Sequence, residues 1–113
     1  MWILTPFGFF SVVQKEGDDN LSVRARVHSD LQNLIQQYLP KPQPIQTGGH
    51  TDYPYRIFVS HTEWAQALTK IANDIDFPNF KRKVKSQQGP IRSKIYGNVW
   101  HELYKLEKAC DTP

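Results

Sequence analysis

The chain has 113 residues, 14 lysines and arginines against 11 aspartates and glutamates, 39% hydrophobic residues and one cysteine. This is the make-up of one ordinary globular domain with room for a single core and none for a second domain. The lone Cys110 excludes an internal disulfide and a cysteine-based zinc cage, so the cytoplasm is the expected compartment. The apolar start from Met1 to Val13 is too short to span a membrane, and it lacks the basic leader and small-residue cleavage site of a signal peptide.

Residues 2–14 are almost continuously apolar and rich in aromatic and β-branched types, which predicts one buried strand, kinked or bulged at Pro6 to Gly8. Turn residues from Glu16 to Asn20 follow. Leu21 to Val27 then alternates, with Leu21, Val23, Ala25 and Val27 on one side, and completes a hairpin. Ser29 to Gln32 has the spacing of a capping box, and Leu31, Leu34, Ile35 and Tyr38 form a helical stripe behind it.

Pro40, Pro42 and Pro44 end that helix, and the stretch to Pro54 reads as the longest loop. Tyr55 to Val59 predicts a third strand. Ser60 to Glu63 repeats the capping-box pattern, and Trp64, Ala67, Leu68, Ile71 and Ile75 mark a second amphipathic helix. Beyond Pro78, Phe80 and Val84 sit one helical turn apart. Gly89-Pro90 combines a helix stop with a good first helical residue. Ile95, Val99, Leu103 and Leu106 continue a stripe widened by Trp100 and Tyr104, with Gly97 tolerated inside it at about 1 kcal/mol.

The resulting order, β-β-α-β-α-α-α, predicts an α+β fold: a three-stranded, mainly antiparallel sheet with helices packed on one face. A right-handed crossover from the second strand to the third leaves a gap that the very apolar first strand can fill, giving a split βαβ arrangement. A hairpin on a helical bundle is the alternative.

Several segments carry a family resemblance: Met1-Trp2, Thr5, Gly8 to Lys15, Val23 to Arg26, Asp52 to Arg56 and Asn79 to Lys81. Together they resemble those of a family of small uncharacterised bacterial proteins of about this length. The resemblance extends over nearly the whole chain and implies no activity and no catalytic residues.

Charge supplies the leading functional expectation. Residues 80–96 hold Lys81, Arg82, Lys83, Lys85, Arg92 and Lys94 without an acid, so this window carries +6 and the remainder −3 of a net +3. A local basic face of this kind attracts nucleic acid or another polyanion, although the same run serves equally as a solubilising helix face. Arg24 and Arg26 leave their strand on the side opposite its apolar residues and can fork onto phosphate oxygens. Their ordinary role is a solvated, salt-bridged face, with Asp18 or Asp19 as partners.

Tyr53, Tyr55 and Arg56, beside the long loop, form the candidate patch for a protein partner, although tyrosines at the start of a strand more often cover a core. Gly8 to Val13 has a faint likeness to the strand that displays stacking aromatics in RNA-recognition motifs, but core packing accounts for its phenylalanines more simply.

His28, His50, His61 and His101 have no metal-ligand spacing, so no metal or other cofactor is expected. Ser11 and Ser60 lack a nucleophile context, and Gly48 to Thr51 lacks the ending of a phosphate loop. No catalytic constellation is visible. The expectation is a small cytoplasmic binding module, with protein docking through residues 40–56 as the alternative. A small enzyme using Arg24, Arg26 and a histidine on a phosphorylated compound is the third reading.

Overall fold

The computed structural model describes residues 1–48 and 52–110. It divides into two compact units, Met1–Asp76 and Phe77–Pro113. The first holds strands β1 (Trp2–Thr5), β2 (Gly8–Val13), β3 (Leu21–Ala25), β4 (Gln46–Thr47) and β5 (Tyr55–Val59), with helices α1 (His28–Tyr38) and α2 (His61–Asn73). The second holds α3 (Phe80–Gln88), α4 (Pro90–Tyr104) and the short α5 (Leu106–Cys110). Among the described residues no helix is long and apolar enough to cross a membrane.

The α+β class and the antiparallel sheet are as expected, but the sheet has five strands in the order β1-β2-β3-β5-β4 rather than three. One added strand comes from residues 2–14, which form a tight hairpin instead of a single kinked strand. Pro6 and Phe7 make its turn, and Thr5 stands opposite Gly8. The Thr5 hydroxyl closes the turn by donating to the Gly8 carbonyl at 2.7 Å and accepting from the Gly8 amide at 3.0 Å. The other is β4, two residues inside the proline-rich stretch that pair with β5 and carry no periodic pattern.

The split βαβ arrangement is also corrected, because β5 pairs directly with β3 and runs antiparallel to it. The length of the intervening chain explains this. Helix α1 has 11 residues and covers about 16 Å, enough to traverse the sheet once. The chain between α1 and β5 is long enough to span about 50 Å if drawn out, enough to come back. The chain therefore enters β5 beside the end of β3, at Tyr55 opposite Ala25.

Alternation along the strands sends Phe10, Val12, Val23, Ala25, Ile57 and Val59 to one face, where they form a core with Leu31, Leu34 and Tyr38 of α1 and Trp64 and Ala67 of α2. Of the stripes read from the sequence for these two helices, Leu31, Leu34, Tyr38, Trp64 and Ala67 are buried, Ile35, Leu68 and Ile71 are half-buried against the core, and Ile75 is exposed beyond the end of α2. The second capping box is present, with the Ser60 hydroxyl accepting from the Glu63 amide and the Glu63 carboxylate accepting from the Ser60 amide. The latter bond holds the Glu63 carboxyl below its ordinary range.

The first capping box is absent. Helix α1 begins at His28 with Val27 as its cap and no side-chain cap bond, so Ser29 lies inside the first turn instead of ahead of it, and Asp30 of that turn faces the hairpin. In the hairpin, Thr5 and Gly8 are a hydrogen-bonded pair, so Phe9 points its amide away from β1, toward β3. The β2 to β3 pairing begins only at Ser11 and Arg24. The orphaned Phe9 amide donates instead to the buried Asp30 carboxylate at 2.9 Å. One turn along α1, the Asn33 amide group donates to the Phe7 carbonyl at 3.1 Å.

This clamp explains Gly8. A Cβ there would stand 2.7 Å from the Asp30 Cβ and 2.8 Å from Phe10 Cζ. Gly8→Ala is expected to destabilise the fold by about 1–3 kcal/mol, as overpacking of a core does. Urea unfolding checks this, and a midpoint equal to that of the wild type would contradict it.

Tyr38 ties the two helices together by donating its hydroxyl to the Asp74 carboxylate at 2.8 Å. Burial, with the Asp74 bond and charge adding to it, pushes the phenol up to about 12 from 10.0. A raised acid keeps its full stabilisation below the unfolded value and loses it as pH climbs through the folded one. Stability relative to Tyr38→Phe should therefore fall between about pH 10 and about pH 12, measured by paired denaturation curves across that window.

Candidate functional site

In the second unit, Asn79 caps α3 by accepting from the Arg82 amide at 2.8 Å. Gly89, at φ 94°, reverses the chain, and Pro90 starts α4. The two helices pack through buried Val84 and through Phe80 stacked on Tyr96, their rings 5.9 Å apart and 12° from parallel. The Ser93 hydroxyl donates to the Lys81 carbonyl at 3.0 Å.

Between them runs an open groove of about 450 Å³. Lys81 and Lys85, on successive turns of α3, line it with Lys94, Asn98, Trp100 and His101 of α4. The Lys81 ammonium lies 5.2 Å from the centre of the Trp100 ring, a contact that orients the cation without neutralising it. Among the described residues no carboxylate pairs with Lys81, Lys85 or Lys94.

The fold thus brings together three of the six cations expected to act in this segment. Arg82 is exposed but does not line the groove. Lys83 lies against Phe77, 5.8 Å from the ring centre, and Arg92 lies over Tyr96. Helical geometry forces the division, since Lys81 and Lys85 are four residues apart on one side while Arg82 and Lys83 rotate away from it.

The stripe expected to bury α4 is not buried. Ile91, Ile95, Val99, Leu103 and Leu106 are all exposed, as are Trp100 and Tyr104. The buried side of α4 is instead the one that carries Tyr96. At Gly97 a Cβ would meet Lys81 Cδ at an ordinary 3.7 Å, so nothing in the packing requires glycine there. Gly97→Ala is therefore expected to stabilise the protein by about 0.5–1 kcal/mol, the cost of glycine in a helix interior. Thermal unfolding checks the direction.

The other candidate residues belong to the first unit. Arg24 and Arg26 do lie on the side of the sheet away from the core, but they do not pair with Asp18 or Asp19. Arg24 donates to the Ser11 hydroxyl at 2.8 Å, and among the described residues no carboxylate pairs with either arginine. Their guanidinium carbons lie 4.6 and 4.8 Å from the centre of the Tyr53 ring. Tyr53 itself is buried and also meets Phe9, with ring centres 6.4 Å apart.

Tyr53, Tyr55 and Arg56 do not form one patch. Tyr55 packs against the core, its ring edge-on to His28 at 5.2 Å. Arg56, one residue on, emerges on the opposite face and donates to the Tyr53 carbonyl at 3.4 Å. Gly49, His50 and Thr51 of the glycine-containing loop lie outside the described residues.

Sequence reasoning missed Trp2. It is 73% exposed on the edge strand, its ring edge-on to Phe9 at 6.1 Å. The nearly unbroken apolar run conceals the alternation that puts Trp2 and Phe9 on the arginine face and Phe10 in the core.

Among the described residues no three histidine, cysteine, aspartate or glutamate side chains converge as a metal site. No family model, curated protein or solved structure matches the chain.

Proposed function

We propose that this protein is a nucleic-acid-binding module that grips the phosphate backbone in the groove between α3 and α4. The observation that carries this reading is the convergence of Lys81, Lys85 and Lys94, none paired with a described carboxylate, beside the exposed ring of Trp100. Ammonium groups spaced along a groove track phosphates by displacing their counterions, and an aromatic wall accepts a base face or covers the sugar. Asn98 and His101 add polar groups that reach sugar or phosphate oxygens.

Replacing Lys81, Lys85 and Lys94 together by alanine should weaken binding to DNA or RNA and flatten its salt dependence. Three lost phosphate contacts remove roughly 2 to 3 from the logarithmic salt slope. The fold should be retained, since exposed charges outside ion pairs usually contribute within about 0.5 kcal/mol. Fluorescence anisotropy across a salt series reads both effects. No binding at low salt, where the electrostatic contribution is largest, would overturn the proposal. That outcome would make the exposed apolar stripe of α4 the better lead, as a surface for a protein partner.

A further inference from the structure

The strand registers set five side chains in one row across the sheet face that points away from the core. Trp2 stands opposite Ser11, Ser11 opposite Arg24, Arg24 opposite Arg56, and Arg56 opposite Gln46. Like charges directly opposite one another destabilise an antiparallel pair, and here Arg26 adds a third guanidinium to the same face. The Tyr53 ring lies against the guanidinium groups of Arg24 and Arg26, and Ser11 fixes Arg24 through a hydrogen bond. The Arg24 Nε is buried and makes no hydrogen bond among the described residues. Such cations, ordered by an aromatic ring and a hydroxyl and paired with no described carboxylate, present donors whose geometry matches phosphate oxygens.

Beside them the row ends in an aromatic platform. Trp2 is largely exposed, its ring in a T-shaped contact with that of Phe9. Two strand spacings, about 10 Å, separate the backbones of Trp2 and Arg24, with Ser11, whose hydroxyl Arg24 bonds, in register between them. A nucleotide is of comparable length, its base suited to an indole face and its phosphate to guanidinium groups.

We infer that the rim of the sheet face away from the core, where Trp2 and Arg26 are exposed beside half-buried Arg24, is a binding site for one nucleotide unit, its base stacked on Trp2 and its phosphate held by Arg24 and Arg26. The inference rests on nucleic acid being the ligand class and narrows it to single strands, because bases within a duplex present no free face for stacking. Free nucleotides share the same chemistry, and the test separates the two sources.

Adenosine monophosphate, inorganic phosphate, a short single-stranded oligoadenylate and a duplex of equal length would each be titrated into isotopically labelled full-length protein. Adenosine monophosphate should shift the amide signals of Trp2, Ser11 and Arg24, and bind more tightly than inorganic phosphate. Trp2→Ala and Arg26→Ala remove exposed side chains and should each weaken this binding about tenfold. Arg26→Lys should recover only part of the loss, and Lys70→Ala on α2 serves as the control. The oligoadenylate should share the dependence on Trp2, marking a nucleotide within a strand, whereas dependence confined to the mononucleotide would mark a free-nucleotide site.

The inference is overturned if adenosine monophosphate leaves the sheet amides unmoved, if both variants bind it as the wild type does, or if inorganic phosphate binds equally well. The groove lysines report separately. Loss of polymer binding in the triple lysine variant with a silent sheet face sinks this inference alone. A responsive sheet face with polymer binding indifferent to those lysines sinks the groove alone.

Discussion

A single buried carboxylate, Asp30, holds the first unit in register. The hairpin of β1 and β2 extends past the end of β3, which leaves the Phe9 amide without a ladder partner, and an unpaired buried amide costs about as much as a lost hydrogen bond. Asp30 supplies the acceptor from the first turn of α1, where the helix dipole also favours a negative charge. Only glycine at position 8 lets the helix come close enough. With Asn33 bonded to the turn and Phe7 packed on Tyr38 at 4.8 Å, α1 lies where Leu31 and Leu34 fill the core.

The far face of the sheet follows from the same placement. Once α1 and α2 cover one side, every alternate strand residue projects to the other, so Arg24, Arg56, Ser11 and Trp2 lie together there. The return of the proline-rich segment to the end of β3 carries Tyr53 back over this face, where its ring orders two arginines. That one segment thereby sets both the antiparallel order of β3 and β5 and the environment of the cations.

The second unit uses its charges differently. A helix of nine residues with four cations gains little from packing, since only Val84 is buried. It is held to α4 by aromatic stacking and by the hydroxyl of Ser93, contacts that leave the lysines on one flank of the pair. Among the described residues no carboxylate pairs with Lys81, Lys85 or Lys94, so this flank keeps a concentrated positive charge.

The sequence by itself determined the elements whose signals are local. Alternation from Leu21 to Ala25 marks β3, although the pattern runs on to Val27, which is exposed and caps α1; the serine-to-glutamate spacing at Ser60 starts α2, and Gly89-Pro90 separates α3 from α4, because caps, turns and short periodicities are decided by neighbours a few residues apart. The six cations of residues 80–96 were equally legible as candidates. Tertiary structure decided which of them converge, since a groove needs two helices in a particular rotation. It also decided that residues 2–14 fold back on themselves, that α1 starts at His28 without the Ser29 capping box while Asp30 serves a strand, and that the α4 stripe stays exposed. Each of these depends on a partner distant in sequence, and a run of apolar residues reads the same whether the chain bends within it or not.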